Sequence, residues 1–503
     1  MKMLFHNKNS IVGLCIASVL VVAMGCKKQL DINQNPNYPT LDQGTPSLVF
    51  PAAVLATTGK VGGDLTIIGG IWSQFFTQSS LANQYTAIES YNMPSTSTYV
   101  NASYDLLFTN GLKNYQAAMD KAKASGDWNY YLMSTVMKAY TTEVLVDLYD
   151  QIPFTQALQG ASNLDPKFDD GFSIYQSLIN SIDTALNQDF SASTNTAPGS
   201  QDMIFNGNMD QWKAFANTLL LKLYLRMVNA HMDVATAGIT ALYATNPTFL
   251  ATDASVANFT DAPGLDNPFY EQNQRQLNTN SNLKASTTFV SWLEANADPR
   301  IVYYYGSTNP SSINQGDYTN NNPTYQAAPV FAQTPTDPVE FISLPESYFL
   351  QAEADVRFFG GANAQSLYEQ GVLAAFAQLK INNTPLDGSS FIAPGGVYAW
   401  GAEVEGGITL GPIEQIIRQK WASCAYGCHG IESYFDKNRT GFPKSSDGYY
   451  TPTYVAGQLV IGKNSVLGTG LVPKRFVFPY DETSRNENSP SPVPSTTAVW
   501  WGL

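Results

Sequence analysis

Histidine is nearly missing from this sequence and cysteine is sparse: 503 residues hold three of the first and four of the second. With His6 near the N-terminus, only His231 and His429 remain for chemistry in a folded domain. No His-Glu-x-x-His pair, Gly-x-Ser-x-Gly elbow or metal-spaced His/Cys cluster occurs, and no Asp-x-Asp-x-Asp-Gly loop suggests calcium. No catalytic residue, metal ligand or cofactor is therefore expected. Charge is also scarce, at 14% of residues, and it is lopsided, with 27 basic against 41 acidic side chains. That sign argues against nucleic acid and against adhesion to anionic lipid, both of which need a basic surface. A glycosidase needs only two carboxylates facing each other across a cleft, roughly 5–9.5 Å apart. The closest acid pairs in sequence, Asp169-Asp170 and Glu403-Val404-Glu405, read as solvated loop acids.

Long apolar runs are confined to the N-terminus. Lys2 and Lys8 precede the 14 residues Ile11 to Met24, which suit the core of an export signal and are short for a membrane span. Gly25-Cys26 follows, the pattern at which a bacterial lipoprotein signal is cut. Residues 1–25 are thus expected to be a signal peptide, and Cys26 the lipidated new N-terminus. Two or three acyl chains there would hold the chain stably on a membrane. Cleavage removes two lysines and no acids, taking the net charge from −14 to −16. Residues 26–40, rich in Asn and Pro, read as a flexible tether, and residues 41–503 as one domain.

Two cysteines, Cys424 and Cys428, remain. Four residues apart on a regular helix, their Cβ atoms stand about 5–6 Å apart, beyond the ~3.5–4.5 Å of a disulfide. Gly427 between them leaves a distorted, bonded turn open. With His429 the segment also resembles a haem attachment site with one residue too many. Two buried small side chains on a helix is the preferred reading.

Apolar residues at steps of three and four predict helices. One stripe is Met133, Met137, Tyr140, Val144 and Leu148; a second is Tyr175, Leu178, Ile179, Ile182 and Leu186; a third is Trp212, Phe215, Leu219, Leu223 and Met227. Phe349, Ala352, Val356 and Phe359, then Gly360-Gly361, then Tyr368, Val372, Ala375 and Leu379 describe a helix, a glycine turn and an antiparallel helix. Such pairs build tetratricopeptide-like arrays. A last pair covers Ile413–Ala425 and Ile431–Asn438. Polar segments lie between, at 78–103, 190–210, 245–290, 303–340 and 383–412, long enough to be functional surfaces. The fold class expected is mostly α, a scaffold of helix pairs with long loops and a few short strands packed on one side.

The order of several short motifs carries a resemblance. Leu145-Val-Asp-Leu-Tyr-Asp150-Gln-Ile-Pro153-Phe-Thr-Gln-Ala157 is similar to a pattern that ends a helix in the SusD/RagB lipoproteins, with Asp150-Gln151 where Gly-Asp is usual. Pro166-Lys-Phe168-Asp169, Trp212-Lys-Ala-Phe215-Ala-Asn217 to Arg226, and Asp298-Pro299-Arg300 follow in the family's order. So do Glu346 to Ala354, Ile416 to Trp421, Glu432-Ser-Tyr-Phe435-Asp436, Arg439-Thr440-Gly441-Phe-Pro443, Pro473-Lys-Arg475, Phe478-Pro479 and Trp500-Trp501. The motif residues read as structural: Trp421 as core, Glu353 and Arg418 as pairing partners between helices, Arg439 as a cation near the last carbonyls of its helix.

The resemblance implies a non-enzymatic outer-membrane lipoprotein facing the exterior. It would bind oligomeric nutrients, glycan or peptide, over a SusC-like TonB-dependent transporter, or serve as that transporter's purely structural lid; a surface glycoside hydrolase is the remaining alternative. Sugar rings offer apolar faces edged by hydroxyls, so a binding surface needs aromatic platforms beside amides. Asn83, Gln84, Tyr85 and Tyr91, with Tyr303, Tyr304 and Tyr325, combine those types in loops where the family's ligand contacts tend to lie.

Overall fold

A computed structural model describes residues 44–449 and 452–503. The expected signal, the lipidation site Cys26 and the tether lie outside the described residues. The chain divides at Thr45, and Pro46–Leu503 forms one compact unit. It is mostly helical, and its strands, among the described residues, form only two-stranded sheets. No described helix is long and apolar enough to cross a membrane.

The scaffold helices are α1 (Pro46–Lys60), α2 (Thr66–Trp72), α3 (Lys113–Ser125), α4 (Trp128–Tyr149), α5 (Gly171–Leu186), α6 (Met209–Arg226), α7 (Met232–Ala244), α8 (Leu344–Phe358), α9 (Ala364–Ala377), α10 (Pro412–Ser423) and α11 (Gly430–Thr440). They pack as consecutive pairs, α3 on α4, α6 on α7 and α8 on α9. Their starts are capped as the local sequence dictates. Asp127, Asp170, Asn208 and Ser343 each accept a hydrogen bond from a backbone N–H in the first turn that follows. Between α8 and α9, Gly360 and Gly361 both adopt positive φ (77° and 78°), a left-handed stretch that glycine enters without strain.

The apolar stripes fall inside as their spacing predicts, except that Leu186 and Val356 are half-buried and Phe359, just past the end of α8, is exposed. Helix α4 goes further and is buried on almost every side, with Thr141, Glu143 and Asp147 as enclosed as Met137. Its motif ends at Asp150, which takes positive φ (72°) where glycine would be easier. The carboxylate accounts for the choice. It accepts hydrogen bonds from the Trp500 N–H (2.6 Å) and from Arg475 Nη1 (3.2 Å), tying the C-terminal segment to the end of α4.

Cations and acids converge between α4, α6, α8, α10 and α11. Lys222 and Arg226 reach Glu432 (both 2.9 Å), and Arg226 reaches Asp147 (3.0 Å). Lys420 meets Asp436, Glu432 and Glu346 at 2.7, 3.0 and 3.1 Å. Arg439 pairs with Glu353 (2.6 Å) and Asp436 (2.9 Å). Glu353 is thus a partner between helices, as expected. Arg439, by contrast, points into the interior, and Lys437 is the cation that donates to the Gly441 carbonyl beyond the helix end (2.8 Å).

Two other expectations change. Glu403 and Glu405 are not solvated: both are buried, where Arg418 approaches them at 3.6 and 3.3 Å. Asp169 is half-buried and accepts from the Phe154 and Thr155 N–H groups, whereas Asp170 is exposed, as expected, and caps α5. Cys424 and Cys428 are buried and unbonded to each other. Cys424 ends α10, and Cys428 lies in the turn beyond it with φ 58°.

Candidate functional site

The loops flagged by composition are held together by one acid. Glu89 accepts from the Gln78 N–H (3.0 Å), Thr77 Oγ1 (3.0 Å), Gln315 Nε2 (2.6 Å) and the Gly316 N–H (2.8 Å). It therefore pins segment 76–91 to segment 313–317. Burial pushes its carboxyl up to about 7, against the pull of those four donors. Strand β1 (Phe76–Gln78) pairs antiparallel with β2 (Leu283–Ala285), and Asn282 Oδ1 accepts from the Gln84 N–H (3.2 Å). The loops are a hydrogen-bonded layer, fixed before any ligand arrives.

Beside that layer lies a groove of about 490 Å³. Its walls are Gln84, Tyr85, Tyr99, Gln272 and Gln276, with Lys60 and Asp64 at one end paired to each other at 2.5 Å. Two π-helical turns flank it, Val61–Leu65 carrying Asp64 and Glu271–Arg275 carrying Gln272. Such turns displace side chains from regular helical positions and are frequent at functional sites. Gly63 lets Gln272 lie against the first turn: a Cβ there would meet the amide nitrogen at 2.5 Å. Three amides and a half-buried phenol, Tyr99, supply the donors, acceptors and flat apolar face that a sugar ring matches.

The sequence-selected residues divide. Gln84 lines the groove, and Asn83 is exposed at the turn just before it. Tyr85 reaches the groove but is only 2% exposed. Tyr91 is buried elsewhere, edge-on to Trp72 with ring centroids 6.2 Å apart. Tyr304 is buried as well, stacked on Phe331 at 5.3 Å. Tyr303 is half-buried against Tyr304 and Tyr426. The cleft beside these rings has about 30 Å³ of free space, room for a water and not for a sugar. Tyr325 is half-buried on the short helix Pro323–Gln326. Tyr99, Gln272 and Gln276 were missed individually. Their segments, 78–103 and 245–290, were legible as polar surface, but no spacing rule joins two loops so far apart in the chain.

A scaffold of tetratricopeptide-like helix pairs carrying a polar groove, walled by the Gln84 loop, the helix Thr98–Leu106 and the two π-helical turns, defines the class. The family model described as "Starch-binding associating with outer membrane" matches residues 66–459, and this chain belongs to that SusD-like family. No curated protein matches the sequence. Among solved structures, a chitin-binding protein is 21% identical with a TM-score of 0.71, over 91% of this chain and all of the other. A chitin-binding SusD homolog from Flavobacterium johnsoniae is 19% identical with a TM-score of 0.70, over 90% of this chain and 98% of that one. A SusD homolog from Bacteroides vulgatus is 19% identical with a TM-score of 0.68, over 88% and 92%.

Proposed function

We propose that this protein is a surface lipoprotein, anchored through acyl chains on Cys26, that captures an oligosaccharide and hands it to a SusC-like TonB-dependent transporter. The observation that carries the binding part is the groove beside Gln84 and Tyr99: large enough for sugar units, rich in amides, edged by an aromatic ring and walled by helical turns and the Gln84 loop. The membership in a family described as starch-binding and associating with the outer membrane, and the chitin-binding relatives, support glycan as the ligand class. Recognition of this kind needs no catalyst, since the work is to hold a chain until the transporter takes it.

Titration of the full chain with malto-oligosaccharides and chito-oligosaccharides tests the reading. Saturable binding to one series, weakened by Tyr99→Ala and Gln272→Ala with the melting temperature unchanged, is expected. Binding untouched by both substitutions would move the site away from this groove. No binding to any oligomer, with stable co-purification of the transporter, would favour a purely structural lid. Release of hydrolysis products would make the protein an enzyme. Replacing Cys26 by Ser tests the anchor separately: the variant should leave the membrane fraction and carry no fatty acid.

A further inference from the structure

A second cavity, of about 350 Å³, is bordered by residues that the groove does not use. It lies among α3, α4 and the loop 153–159. A third π-helical turn, Leu107–Leu112, contributes Phe108 and Leu112 to it. Pro153, Phe154 and Leu158 complete an apolar wall, and Lys138 of α4 supplies the one cationic side chain in the lining.

Among the described residues Lys138, like Lys284 and Lys437, has no acid at ion-pair distance, but those two ammonium groups each donate to two backbone carbonyls, whereas Lys138 has one amide acceptor and a cavity beside it. The buried cations Lys222, Arg226, Lys420 and Arg439 each touch at least two carboxylates. The ammonium of Lys138 donates to Gln116 Oε1 and lies 5.5 Å from the centre of the Phe154 ring, with no carboxylate oxygen within 4.0 Å among the described residues. The acid whose field reaches it, Asp120, is held one residue away, accepting from the other end of the same Gln116 amide (2.7 Å). An ammonium has three donors, and a neutral amide oxygen satisfies one. A half-buried ammonium with one acceptor from the protein can turn its other donors to an anion that enters the cavity. Burial accordingly pulls its proton affinity below that of an ordinary lysine.

The geometry points to a binding site for a small organic monocarboxylate with an apolar body, its carboxylate on Lys138 and its body against Phe108, Leu112 and Phe154. A single ammonium in a chain of net charge −14 suits one negative charge better than two. The apolar wall suits a phenyl or short aliphatic group better than a hydroxylated ring. The loop that closes the site is already fixed, because Asp169 accepts from the Phe154 and Thr155 N–H groups at 3.0 and 2.8 Å.

Phenylacetate and its neutral isostere phenylacetamide separate charge from shape when titrated against the full chain. The acid should bind saturably and roughly tenfold more tightly than the amide, the effect of one charge-assisted hydrogen bond. Lys138→Met should bring the two to equal affinity. Ala157→Trp, which fills the cavity from the loop and leaves the charge in place, should abolish both and serves if the first variant folds poorly. Acid and amide binding alike to the unaltered chain, or no saturation by the acid, would overturn the assignment.

Discussion

The interior between α4, α6, α8, α10 and α11 and the face bearing the groove use polar chemistry in opposite ways. Inside, ionised side chains are shut from water and matched to one another, Arg226 and Lys222 against Asp147 and Glu432, Arg439 against Glu353. At the face, neutral amides and a phenol line the groove, and the charges present, Lys60 and Asp64, neutralise each other. Charges buried in this way hold helices in one register, because an unmatched partner is costly. Amides at a surface stay available to a ligand because water satisfies them cheaply until it is displaced. The residues that carry the family resemblance lie mostly on the first side. A match to them therefore reports the scaffold and does not pick out the residues that would touch a ligand.

The largest effect that could break this contrast is expected inside. Arg226→Met leaves Asp147 and Glu432 without that partner and should destabilise by about 3–5 kcal/mol, read by denaturant unfolding. A loss under about 1 kcal/mol would mean that the interior behaves like a surface. Tyr304→Ala should cost about 3–5 kcal/mol, since its ring is packed between Phe331 and Phe289. Weakened glycan binding at unchanged stability would return that ring to the ligand face.

Acid titration sharpens the comparison next. Burial alone would raise Glu353, but Arg439 and Arg357 hold it at about 2, and Lys420 and Lys222 do the same for Glu346. Stability from these two is fully present above 4.5, their ordinary value, and is lost as pH falls from there through 2. Glu89 and Glu403, which burial pushes up to about 7, act with the opposite sign: stability is lost as pH rises from 4.5 through 7. Melting temperature should therefore peak between those limits, and Glu353→Gln should flatten the acid limb. A stability that climbs steadily to neutral pH would contradict the second half.

A smaller change is expected at Asp150→Gly. Relief at a positive φ offsets the lost contacts to Trp500 and Arg475, leaving a net cost of about 1 kcal/mol. Limited proteolysis near the C-terminus should rise more than global stability falls. The smallest effect on folding, within about 0.5 kcal/mol, is expected for Gln276→Ala at the exposed rim of the groove, where oligosaccharide affinity is the quantity that should move.

Much of the scaffold was legible. Periodicity located the buried stripes, and the segment from Phe349 to Leu379 announced a helix pair through its two glycines. Glu353 and Arg418 were recognisable as pairing residues, because a charge among apolar helical positions needs a partner, although Arg418 meets the acids of a hairpin and not those of a second helix. The acids were harder. Glu403 and Glu405 sit in a polar stretch, and nothing local reveals that Arg418 covers them. The same limit misplaced Tyr91 and Tyr304, since a tyrosine in a loop looks alike whether its ring meets solvent or Phe331.

By itself the sequence determined the helix pairs and the scarcity of histidine and cysteine, because those follow from spacing and residue type along the chain. Tertiary structure alone decided which acids face which cations, which tyrosines are walled in and which amides share a groove. Those outcomes depend on contacts between segments hundreds of residues apart, and burial, unlike periodicity, belongs to the assembled molecule.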